Sequence, residues 1–596
     1  MIAFDPMRGV WFGVLVMSAV GCGSGASTPE DASVERVDTS VPRADGALPT
    51  DRDAGGDDAG ALDAATSDAS TRDAATTDAS TDAQVPLPAL GCGLPELGTT
   101  GAVHYFCDCG PGADTSCVPG DDAADGLSPS SARRSYEAAR RTFSTMAAGD
   151  VVALCRGGSF AAGADSHWVN AACRADAPCT LRSYTAPASA VDARPILTAR
   201  AGQHGLSLED GGNADHEEGY VFAELQLIGS GSGFGVFFYN DIDDVDVCDV
   251  DISRFDVAFH VAGSNPPATP ASDARNDRIS LRASHIHDNA GQGYLGGCSD
   301  GLIEGTRFTN NGFGRAVFNH NIYLSSPSGG AVGMRVVGNT LHRSTLVAGR
   351  CAGVSLVVHG HYDDLVIEDN HIHEDLGAAG DGCWGIAIDG GYSSAEVFRR
   401  VVVRRNTIEN VGNVSIGLGS CIDCVVENNV VIQWQGLGGA GVVAPDRPTA
   451  SGDAVMTNLL VRNNSVSFGT SGTGVVVTEG VGHSIVSNAI EAHGRGSTCF
   501  DLASPLTGTT SDYNACYRAS GGSWASGARS LTSLRSAGLE TASVESTSPF
   551  FVDPRRELRA TGTVLRDSGD PTRSARDDHT GAARDTRPDV GAYEAR

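Results

Sequence analysis

The chain has 596 residues, a formal net charge of -31, 76 glycines and only 6% aromatic residues. A compact core stops growing near ~250–300 residues, so a globular reading requires several domains, whereas an elongated stack of repeats does not. Lysine is absent, which excludes Schiff-base, P-loop and Lys-base chemistry, and the acidic balance argues against nucleic acid and anionic membrane surfaces as partners.

The first segment, residues 1–21, reads as a signal peptide. Met1 to Arg8 is a short n-region, and Gly9 to Val20 is apolar but too short to span a bilayer as a helix. Ala19-Val20-Gly21-Cys22 resembles a bacterial lipoprotein signal, which implies cleavage before Cys22 and lipidation of its thiol. Gly23 is compatible with outer-membrane sorting. The expectation is an exported outer-membrane or cell-surface protein with a lipid anchor in the envelope. Residues 22–90 form an acidic Asp/Ala/Ser/Thr-rich tether, typified by Asp63 to Ala83. It has little to bury and its acids repel one another, so it is expected to be disordered, with a reach of about 45 Å.

Residues 91–160 read as a disulfide-containing segment and N-terminal cap. Ser128-Pro129 is expected to start a helix running through Ala147, with Tyr136, Ala139, Phe143 and Met146 on one face. The chain carries 16 Cys. Cys107, Cys109 and Cys117 share one loop and Cys173 and Cys179 bracket another, a usage that points to disulfides in an oxidising compartment. Zinc at Cys107 and Cys109, or at Cys421 and Cys424, lacks a second Cys/His pair at zinc-finger spacing. With Cys22 set aside the remainder is odd, so at least one Cys is expected free or intermolecular.

Residues 161–545 carry a degenerate repeat: a short polar residue, one residue, then an aliphatic or aromatic. It appears as Asn339-Thr340-Leu341, Asn370-His371-Ile372, Asn406-Thr407-Ile408, Asn429-Val430-Val431, Asn464-Ser465-Val466 and Asn488-Ala489-Ile490, with weaker copies at Ser284 and Thr306. β-Branched stretches such as Leu365 to Glu368 and Val401 to Arg404 precede the units. Short apolar strands, Asn and Gly turns and a period above about 20 residues predict stacked coils. One coil cannot bury its own inward side chains, whereas stacked coils pair their backbones in parallel and share one apolar interior. Asn suits the corner because it tolerates left-handed backbone angles.

Stacked Asn residues of this kind resemble the asparagine ladder of the pectate-lyase-like β-helix superfamily. The resemblance spans roughly residues 100 to 596. It implies an all-β right-handed parallel β-helix of about ten or more coils with an N-terminal capping helix. Residues 546–596 carry Asp589-Val590-Gly591-Ala592-Tyr593-Glu594, which resembles a tail that closes the last coil, its Asp and Arg being structural.

Placing Val354 and Ile386 at equivalent positions of successive coils stacks Cys351 on Cys383 within disulfide range. The same register puts Tyr323, His359 and Asp389 on one outer face, flanked by His320, His361 and Arg350. A His beside a carboxylate with a Tyr nearby suits acid–base work near neutral pH. The resemblance implies a polysaccharide lyase, hydrolase or epimerase, with Arg350 or His359 as the base in place of lysine. The acid-rich run Asp363, Asp364, Glu368 and Asp369 could supply oxygen ligands to calcium. No other cofactor is indicated. His371 and His373, alternating around Ile372, read as outward strand residues, and Trp384 and Trp434 as sugar-stacking or corner-packing groups. The expected partner is a polysaccharide and the expected state a monomer. The competing reading is a non-catalytic, sugar-binding or adhesive β-helix.

Overall fold

The computed structural model describes residues 91–595, apart from 188–190, 210–216, 264–274, 327–328, 389–394, 448–450, 503–506 and 520–521. The signal segment, Cys22, the tether and Asp389 therefore lie outside the described residues. The remainder is a right-handed parallel β-helix built on three long sheets. Two have 14 strands, running from Val103–Phe106 to Thr510–Asp512 and from Ser159–Ala161 to Val544–Ser546, and the third has 12, from Leu206–Glu209 to Ser523–Ala525. The stack starts earlier than residue 161, since Val103–Phe106 already pairs in parallel with Val151–Cys155.

Strand alternation sets the interior. In the first sheet Val336, Ile367, Val403, Val426 and Val461 stack inward with no exposed surface, each the direct ladder partner of the next. The corner between the first and second sheets holds the asparagine ladder. Each Asn side chain accepts from the backbone N–H and Nδ2 of the Asn one coil earlier, from Asn339 through Asn370, Asn406, Asn429, Asn464 and Asn488 to Asn514. Ser284 and Thr306 extend it at one end and Ser543 at the other. The left-handed angle belongs not to these residues but to the one before each: Asp369, Arg405, Asn428, Asn463 and Ser487 have φ between 52° and 58°. The ladder Asn is therefore selected by its hydrogen bonds, having both a donor and an acceptor on one short side chain.

The cap helix is divided. Ser128 caps a single 3-10 turn over Pro129–Ser131, and a second helix, capped by Ser135, spans Tyr136–Phe143. Between them Arg133 is drawn onto the open edge of Val103–Phe106, its N–H donating to Tyr105 O and its carbonyl accepting from Cys107 N. Covering an otherwise unpaired strand edge outweighs continuing the helix. Tyr136, Ala139, Phe143 and Met146 are buried as expected.

The C-terminal tail does not close the last coil. It runs back along the outer face of the second sheet, where Phe550, Phe551, Leu558, Leu565 and Val590 pack on Val430, Ile432, Ala489 and Ala515. Arg584, almost fully buried, bonds Glu594, Asn428 and Gly591. The helix Leu531–Ser536, with Leu531 and Leu534 buried, lies at the C-terminal end of the interior beside buried Trp524.

Six disulfides occur among the described residues, including the expected Cys351–Cys383 and Cys173–Cys179. Cys107 joins Cys155 and Cys109 joins Cys117, which removes them as zinc ligands. Cys298, Cys421 and Cys424 are free and buried.

Candidate functional site

The outer face of the third sheet carries an unusual column. Reading across the ladder, Phe237 pairs with His260, His260 with Leu295, Leu295 with Tyr323, and Tyr323 with Val357. Side chains one ladder step apart sit about 4.8 Å from their neighbours. At one end His204, Phe234, Phe237 and His260 form a contiguous aromatic group with ring centroids 4.8–5.4 Å apart. Further along, Tyr323 and Trp384 pack on a small outer-face apolar cluster of Val354, Val357 and Ala387.

Beside this platform lie the titratable groups. The ring of Tyr323 is 5.5 Å from that of His320 and 5.5 Å from that of His359. His359 Nδ1 is 3.2 Å from Oε1 of Glu396, a carboxyl with no exposed surface. The Glu396 carboxyl holds the orientation of the imidazole, and a His fixed in this way is suited to proton transfer. His320 is buried, donates from Nδ1 to the carbonyl of Val354, and has its pKa pushed down to about 3 by loss of solvent. It is therefore neutral near pH 7, a fixed dipole and not a proton carrier.

The structure thus brings together Tyr323, His320 and His359 and adds Glu396. Arg350 stands apart, exposed on an antiparallel hairpin with Leu346–Val347, and makes no hydrogen bond or ion pair to this group. His361 lies around the corner, on the four-stranded sheet, with Nε2 2.7 Å from Ala395 O. Glu396 was hidden in the sequence because it precedes its strand Val397–Arg399 by one residue, outside the strand's alternation. Asp446, two residues past the end of the strand Gly439–Ala444, was also missed: it lies over Gly417, where an added Cβ would meet its Oδ2 at 2.5 Å. That glycine, at an outward position of a strand, was the available signal.

Three of the four acids of the acid-rich run are hydrogen-bonded by arginine, while Asp363 has only a 3.9 Å ion pair with Arg400. Asp364 is bonded by Arg400, Glu368 by Arg335, Arg404 and Arg405, and Asp369 by Arg405. These forks tie adjacent coils together and engage oxygens of Asp364, Glu368 and Asp369 that calcium would need. The run is a coil-to-coil brace. Trp434 is also a packing residue: its Nε1 donates to Pro554 O, and Arg555 lies 4.6 Å above its ring.

A concavity of about 670 Å³, away from this group, opens at the N-terminal end and is lined by Arg182, Arg194, Glu224, Asp251, His285 and Arg307 among others.

No protein-family model matches the chain, and no curated protein matches it. Among solved structures it is similar to the Dettilon tailspike protein at 14% identity and TM-score 0.37, covering 67% of this chain and 69% of that one. It is similar to a pectate lyase at 12% identity and TM-score 0.29, covering 84% and 97%. An alginate lyase from a Paenibacillus species matches at 13% identity and TM-score 0.27, covering 66% and 94%. At these values the likeness carries no argument about the chemistry of this chain.

Proposed function

We propose that this protein is an exported, envelope-tethered β-helix that acts on an extracellular polysaccharide laid along the outer face of the third sheet. The observation that carries the reading is the His359–Glu396 pair beside the outward column Phe237, His260, Leu295 and Tyr323, three of whose four members are aromatic. Aromatic faces offer apolar stacking surface to sugar rings. The ladder spacing is close to the advance per residue of an extended glycan, so one ring can sit over each coil. His359 then serves as the acid–base group, oriented by Glu396, in a lyase, hydrolase or epimerase reaction. Six disulfides support export, and Cys22 is the acylated residue of the anchor.

The test is incubation of the protein with a panel of uronate-containing and neutral polysaccharides, following both unsaturated-product absorbance and reducing ends. Turnover lost in His359→Ala supports the reading; turnover unaffected by it refutes the assigned site. Binding without turnover supports the second reading, a sugar-binding surface protein. That reading is favoured by one feature: the aromatic column spans several coils, whereas the His–Glu pair occupies a single place on it. Mass analysis of the mature N-terminus, with Cys22→Ser as comparison, tests the anchor.

A further inference from the structure

The lower half of the second sheet presents a histidine-rich outer face. Two outward columns run along it: Asp251, His285, Arg307, Thr340, His371, and alongside them Ser253, His287, Thr309, His342, His373. Beyond this stretch His579 of the C-terminal tail reaches Thr407 and the tail covers the sheet. At the N-terminal end of the strip three donors converge. His285 and His287 are two apart on one strand and share a face, and Asp251 is the direct ladder partner of His285 one coil earlier.

We propose that Asp251, His285 and His287 form a binding site for a divalent transition-metal ion, zinc by preference. Asp251 Oδ2 lies 3.3 Å from His285 Nδ1, and Oδ1 lies 3.2 Å from His287 Nε2. One donor atom from each residue lies within 4.8 Å of the others. A tetrahedral zinc with ligands at about 2.0–2.1 Å has donor–donor edges of about 3.3 Å, and each imidazole nitrogen already lies at that distance from one oxygen of the Asp251 carboxylate, His285 from Oδ2 and His287 from Oδ1. Two imidazoles with one carboxylate suit zinc, nickel or copper and not calcium.

An independent feature points the same way. The far nitrogen of His287, Nδ1, is 2.8 Å from Asp288 Oδ2, and the other oxygen of Asp288 is held by Asn310 Nδ2 at 2.6 Å. A carboxylate behind the imidazole fixes the tautomer that presents Nε2 as the ligand, the outer-shell arrangement typical of metal-bound histidine. Asp251 and His285 also line the 670 Å³ cleft, so the site faces a space that a small ligand can enter. The site lies on a different sheet from the His359–Glu396 pair and does not depend on the function proposed for it.

The experiment is a zinc titration of the full chain by calorimetry, with cobalt(II) absorption as a second readout. One tight site per chain is expected, with the intense visible bands of tetrahedral cobalt. Asp251→Asn and His287→Ala each raise the Kd at least tenfold, and Asp288→Asn raises it about 10–100-fold with stoichiometry retained. His342→Ala leaves it unchanged. All these residues are on the outer face, and circular dichroism confirms that each variant is folded. Absence of a tight site, affinity indifferent to Asp251→Asn and His287→Ala, or loss in His342→Ala instead overturns the assignment.

Discussion

His359 and Glu396 are joined through Nδ1 and Oε1 at 3.2 Å, although 37 residues separate them in the chain. The carboxyl is fully buried and the imidazole is only partly exposed, so the pair has one face toward solvent. Replacing Glu396 by Gln keeps the shape but removes the carboxyl that holds His359 through Nδ1. We expect polysaccharide turnover to fall at least tenfold in Glu396→Gln while glycan affinity and melting temperature stay near those of the parent. Initial rates and binding isotherms on one substrate separate these effects. Equal loss of affinity and rate would assign Glu396 to packing alone.

The ladder makes a second prediction. Asn406 is buried and engages Asn370 N–H, Asn370 Nδ2, Ile367 O and Asn429 Oδ1. Alanine leaves several of these groups buried without a partner, at about 1–3 kcal/mol each. We expect Asn406→Ala to lose at least about 3 kcal/mol in urea unfolding. Threonine should cost less, because Thr306 accepts from the backbone of Ser284 and donates to Glu304 O at its own place in the ladder. Equal losses for the two variants would show that cavity formation, not hydrogen bonding, dominates.

The ladder was legible because its requirement is local: one short side chain with a donor and an acceptor, once per coil. The inward aliphatic positions were legible for the same reason. What depended on loop length was not. Leu356 pairs with Ile386, two residues from the expected partner Val354, and Ile322 pairs with Leu356. Tyr323 and His359 still meet, because Tyr323 pairs with Val357 and Ser325 with His359, whereas Val354 leaves the interior for the outer-face cluster around Val357. Glu396 and Asp446 lie just outside the strands Val397–Arg399 and Gly439–Ala444, where no periodicity records them, and the tail's lateral course depends on an outer-face apolar strip that is far from it in sequence.

Cys351 and Cys383 nevertheless bond, with Cα atoms 5.2 Å apart. Cys351 sits on the hairpin before its strand while Cys383 immediately precedes the next one, and that difference absorbs the two-residue shift. Closing a loop of this length stabilises by about 3–4 kcal/mol in the chain-entropy model. We expect the double variant Cys351→Ala, Cys383→Ala to lose about that much, and non-reducing peptide mapping of the parent to recover the linked pair.

Glu374 gives a pH signature. Burial pushes its pKa up to about 8 from an ordinary 4.5, with Asp375 adding to the rise and Ser344 N–H and Arg343 opposing it. The unfolded chain releases this proton near pH 4.5 and the folded chain only near pH 8. The stability contributed by the protonated carboxyl is complete below pH 4.5 and is lost at about 1.4 kcal/mol per unit until pH 8. Glu374→Gln keeps an acceptor for Ser344 N–H and removes the titration. We expect the variant to match the parent within about 1 kcal/mol at pH 4.5 and to exceed it by about 3–5 kcal/mol at pH 8.5. Parallel stability curves between those values would place the carboxyl in contact with water.

The aromatic column is the feature whose removal separates binding from chemistry. Phe237 and Tyr323 lie on the same column, three ladder steps apart through His260 and Leu295. At about 4.8 Å per step they are about 14 Å from each other. A glycan spanning both must lose affinity when either ring is truncated, whereas a shorter oligosaccharide reacting at His359 contacts only Tyr323. We therefore expect Phe237→Ala to raise the KM for long polysaccharide several-fold with little change in kcat, and to leave turnover of short oligosaccharides unaltered. Tyr323→Ala, next to His359 at 5.5 Å, should reduce both parameters for substrates of every length. If Phe237→Ala instead acts equally on long and short substrates, the glycan does not run along the third sheet, and the site must be approached across the coils.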